Sequence, residues 1–155
     1  MSLLAIGGFN LLCYWAGTGA ELWEQIGTRV SLSREIAQMW IKDGAKEHEK
    51  IKKVLEMVND LQKKTPTIIS EIEKKHLIQI INDCEAPVHV LAEISDSAKN
   101  NPHGQVFINQ SCCAIEDVLT LAEEIIKRLP GESEESAKQY TKHVDDCLLN
   151  VTSFQ

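Results

Sequence analysis

The chain has no stretch in which apolar and polar residues alternate over the length of a strand, and no Asn-Gly or Asp-Gly pair sits between two such stretches. That excludes sheet-built folds. The usual signatures of catalysis are missing as well: there is no GxSxG, no phosphate loop, no GxGxxG and no HExxH. Gly17-Thr18-Gly19 imitates a phosphate loop but lacks its lysine and the preceding strand. Clustered basic charge is lacking too. With 16 Lys and Arg against 23 Asp and Glu, a net charge of -7 and a pI near 5.2, the chain cannot displace counterions from a nucleic acid. The short run Lys50, Lys52 and Lys53 reads as the wet face of a helix.

Aromatic residues are scarce, and they are unevenly placed. Five of the eight (Phe9, Tyr14, Trp15, Trp23, Trp40) lie in the first 40 residues, so this region differs in kind from the rest. All three tryptophans are here. Trp serves as an interface anchor because its ring is apolar while its N–H still needs a partner. Trp15, Trp23 and Trp40 are therefore the candidate contact residues. Residues 1–20 carry no charged side chain, and Leu3 to Ala16 is mostly apolar. Gly7, Gly8 and Asn10 interrupt that run, and it is shorter than the roughly 20 residues a bilayer core needs. It reads as a short apolar helix closing a core, with membrane contact as the alternative.

What remains is long and periodic. From Ala20 to Lys64 the pattern is helical, with a break expected near Gly27 to Ser33. Ile51, Val54, Leu55, Val58 and Leu61 form a stripe that extends back through His48, Gly44, Ile41, Trp40 and Ala37. Thr65-Pro66 should end this helix, since a residue before proline avoids helical geometry. A second helix runs to about Lys99, and Pro87 inside it predicts either a kink or two helices meeting near Glu85. After the connector 99–104, a third covers about Gln105 to Leu129, with Phe107, Ser111, Ala114, Val118, Leu121, Ala122 and Ile125 inward. Pro130-Gly131 stops it. A fourth then carries Ala137, Tyr140, Val144, Cys147, Leu148 and Val151. The class is all-α. Short connectors predict an up-and-down antiparallel four-helix-type bundle with an extra short apolar helix at the N-terminus. Met1-Ser2-Leu3 reads as a leader, and Gln155 interrupts a running amphipathic pattern. The expectation is one domain over 1–155, excised from a longer protein.

Five cysteines, Cys13, Cys84, Cys112, Cys113 and Cys147, make an odd number with no zinc-site spacing. They are read as buried free thiols in a reducing, cytoplasmic setting. The alternative is a secreted four-helix factor stapled by Cys84, Cys112, Cys113 and Cys147. Among the histidines, His143 and Cys147 stand four apart on one helical face, with Asp146 as a further donor. Cys147 already has a place in an apolar stripe, so the reading is core packing: no metal, no cofactor and no catalytic residue. Cys84 with His89, and His48 facing His76 as a charge switch, are weaker candidates. Sequence reading thus ends at a non-enzymatic interaction or scaffolding module whose partner is a helix or a helical groove of another protein. A membrane-active bundle using residues 1–20 is the second possibility.

Overall fold

The computed structural model describes residue 17 and residues 19–71, 74–128 and 134–154, without the side chains of 68–71. All secondary structure among them is helical, in six segments: α1 (Ala20–Lys42), α2 (His48–Glu71), α3 (Lys74–Asp83), α4 (Glu85–Ala98), α5 (Pro102–Arg128) and α6 (Glu134–Thr152). The apolar N-terminal helix expected over residues 1–20 lies almost wholly outside the described residues.

The first break falls elsewhere than expected. α1 runs unbroken through Gly27 and Ser33, burying Ile26, Val30, Ser33, Ala37 and Trp40 at spacings of three and four. It stops at Gly44, whose φ of 86° is a left-handed conformation that costs glycine little. There the amide of Gly44 donates to the Ile41 carbonyl at 3.0 Å and that of Asp43 to Met39 at 3.2 Å. Gly44 and His48 are exposed, so neither belongs to the buried stripe. Gly27 stays helical within α1, and a Cβ there would come within 3.1 Å of the side-chain Nε2 of Gln62 on α2.

Thr65-Pro66 does not end α2, which continues to Glu71 with Pro66 inside it. Thr65 is buried on the same stripe as Ile51, Val54, Val58 and Leu61, and its hydroxyl donates to the Leu61 carbonyl at 2.8 Å. Packing of that stripe offsets the hydrogen bond that the proline ring cannot make. Pro87 meets the second of its two expectations. α3 and α4 abut at Cys84, and Pro87 occupies the third position of α4, where a backbone N–H has no partner within the helix.

α5 starts three residues earlier than periodicity alone indicates. Asn101 caps it, its Oδ1 accepting from the amides of His103 at 2.9 Å and Gly104 at 3.2 Å, with Pro102 as the first helical residue. The helix buries two adjacent stripes. Phe107, Ser111, Ala114, Val118, Leu121 and Ile125 form one; Ile108, Cys112, Ile115, Leu119, Ala122 and Ile126 form the other. So wide a buried face belongs to a central element, and α5 packs against all five other segments, most extensively against α1 and then α6.

Candidate functional site

The three tryptophans have different fates. Trp40 is 2% exposed and packs on Phe107, with ring centroids 5.6 Å apart and planes tilted by 48°. It belongs to the core and offers almost no surface to a partner. Trp23 is half-buried against the same core, and Trp15 lies outside the described residues.

The outward face of α1 carries a feature that tryptophan placement did not reveal. Leu32 is 41% exposed and Met39 49%, and seven residues, about two helical turns, separate them on one line of the helix. Beside Leu32 runs a shallow furrow of 610 Å³ between α1 and α2, lined by Glu24, Gly27, Thr28, Ser31, Glu35 and Gln62. The small residues at 27, 28 and 31 leave this space open. Glu24 and Glu35 make its rim acidic.

On the flank of α1 that faces α5, Arg29 meets Asp117 at 2.5 Å. Burial pushes the Asp117 carboxyl above its ordinary range, an effect that the neighbouring guanidinium opposes without cancelling. Ser33, also buried, donates to the Arg29 carbonyl at 2.9 Å, whereas buried Ser111 Oγ has no hydrogen-bond partner. A 580 Å³ cavity between α2 and α3 is lined by Asp60, Lys63, Lys64, Thr67, His76, Gln79 and Ile80. Its lysine at 64 is already paired with Asp83 at 2.7 Å, and Gln79 holds the same carboxylate at 2.8 Å.

None of the four described cysteines, Cys84, Cys112, Cys113 and Cys147, is in a disulfide. Cys84, Cys112 and Cys147 are buried, while Cys113 is half-buried on another side of α5 from its neighbour. Burial raises all four thiols, that of Cys112 to about 12, and Cys147 further raises Cys84. His48, offered as one half of a histidine switch, is exposed and pairs with adjacent Glu49 at 2.7 Å.

One convergence of donors joins two helices. His143 Nε2 stands 3.3 Å from Glu85 Oε1, and donor atoms of Glu85, His143 and Cys147 all lie within 4.8 Å of one another. Asp146, the third donor that local spacing offers, is exposed and outside this group. A 360 Å³ cavity borders the cluster, lined by Glu85, Val88, His89, Cys147, Asn150 and Phe154.

No protein family, curated protein or solved structure matches the chain. Among the described residues, no helix is long and apolar enough to cross a membrane.

Proposed function

We propose that this chain is a non-enzymatic interaction module, an up-and-down bundle wound about α5, that holds an amphipathic helix of a partner protein against the outer face of α1. The exposed pair Leu32 and Met39, with an acidic furrow beside Leu32, carries this reading. Two apolar anchors seven residues apart match the repeat of a helix laid alongside another, and Glu24 and Glu35 complement Lys or Arg flanking the partner's apolar stripe. Large apolar side chains held half in water gain free energy when such a stripe covers them, by about 25 cal/mol per Å². That none of the four described cysteines is in a disulfide supports a reducing compartment for the module.

The test is a display selection of helical peptides on the intact chain, counter-selected on the Leu32→Asp, Met39→Asp double variant. Both side chains are exposed, so the variant keeps the fold, which circular dichroism checks. The expected winners carry apolar residues seven apart with basic flanks and lose at least about tenfold in affinity on the variant, as centrally placed apolar anchors do. Peptides that bind parent and variant equally, or that enrich without basic flanks, overturn the reading.

A further inference from the structure

We propose a second site, independent of the α1 face: Glu85, His143 and Cys147 bind a borderline-soft divalent cation, Zn²⁺ by preference, and thereby tie the start of α4 to α6. An imidazole nitrogen, a thiolate sulfur and a carboxylate oxygen are the three donor types that zinc takes from proteins, at about 2.0–2.3 Å from the metal. Around a tetrahedral ion, donors at those distances lie about 3.3–3.8 Å from one another. His143 Nε2 and Glu85 Oε1 are already 3.3 Å apart, and the whole set lies within 4.8 Å, so small rotamer adjustments close the triangle.

A plain ion pair between Glu85 and His143 is the competing explanation. It accounts for two of the three groups. It does not account for a thiol whose donor atom lies within 4.8 Å of both of the other groups. The spacing of His143 and Cys147, four residues along one helix, aims both side chains to the same side of α6. Glu85 reaches them because α4 starts immediately after Cys84, a buried residue that fixes where this carboxylate emerges.

Three protein donors leave one tetrahedral position for water or a small anion, and the 360 Å³ cavity shares Glu85 and Cys147 with the site. Oxygen-seeking cations such as Mg²⁺ and Ca²⁺ are poor occupants, because a thiolate and an imidazole suit softer metals.

Cobalt(II) is the probe, since it takes the same geometry and its bond to a thiolate absorbs in the near ultraviolet. Titrating the reduced 155-residue chain should give one saturable charge-transfer band with tetrahedral visible bands, bleached by Zn²⁺ and unmoved by Mg²⁺. Cys147→Ser removes the charge-transfer band. Glu85→Gln and His143→Gln each weaken Co²⁺ binding by about tenfold or more, and a Cys112→Ser, Cys113→Ser double variant binds as the parent does. Glu85 and His143 are 51% and 39% exposed, so their variants keep the fold and decide the matter if Cys147→Ser does not. Absence of a saturable band, a band that survives Cys147→Ser, or affinity indifferent to Glu85 and His143 overturns the site.

Discussion

Trp40 lies directly on the backbone of Gly104: a Cβ at that glycine would stand 2.8 Å from both Cε2 and Cζ2 of the indole and 2.9 Å from Cα of Ala98. Three elements therefore meet at one point where no side chain fits. α1 supplies the ring, α4 the backbone of Ala98, and the first turn of α5 the gap.

Replacing Gly104 by alanine is expected to destabilise the fold by about 1–3 kcal/mol, the usual cost of forcing a methylene into a packed core. The sign is informative. Glycine-to-alanine in a helix ordinarily gains about 0.5–1 kcal/mol, and here the rigid indole and a neighbouring main chain reverse that gain. Urea unfolding of parent and variant measures it, and an unchanged or higher midpoint would mean that the Trp40 contact is loose.

Asp117 gives the stability a specific pH dependence. Burial holds its folded carboxyl above the ordinary 3.8, outweighing the Arg29 charge, so the folded state keeps its proton to a higher pH than the unfolded chain. Its favourable contribution is complete below 3.8 and is lost as pH rises through the raised folded value. Parent stability should therefore fall relative to Asp117→Asn across that window and run parallel to it above. Unfolding free energies of both proteins at a series of pH values check this. A difference that grows with pH instead would give Arg29 the larger influence.

Cys84 and Cys112, both 0% exposed with thiols raised by burial, should resist iodoacetamide in the native protein, since the thiolate is the attacking form. Half-buried Cys113 is modified ahead of Cys112 despite its own raised thiol, because reagent reaches it without unfolding. Peptide mapping by mass spectrometry after timed alkylation reads the order. Equal rates at 112 and 113 would require α5 to open locally as easily as its surface is reached.

The sequence made most helices legible because apolar residues recur at three and four, and the α3/α4 junction because proline suits a first turn. One boundary was hidden by a coincidence of phase, and one was expected where the helix runs on. Ala37, Trp40, Gly44, His48 and Ile51 keep helical spacing across the actual end of α1, which conceals the left-handed glycine in Asp43-Gly44. The stripe of α2 likewise runs in phase across Thr65-Pro66, where its burial overrides the local preference of the dipeptide. In α5 the second buried stripe adjoins the first, and its central position follows from packing on the other five helices. The donor cluster was half legible. His143 and Cys147 are neighbours on one helix, but Glu85 joins them through the packing of α4 on α6, and adjacent Asp146 points elsewhere. The exposed pair Leu32 and Met39 sits among polar residues and follows no apolar stripe, so periodicity carries no sign of it.

The central place of α5 constrains how this protein is born. Four of the helices that lean on it leave the ribosome first, and the parts of their inward faces that α5 covers stay wet until α5 has emerged. Nascent chains in that interval carry apolar surface open to holdase chaperones and to one another. Synonymous codons that slow translation just before Pro102 would lengthen the exposure, whereas codons that speed the α5 stretch would shorten it.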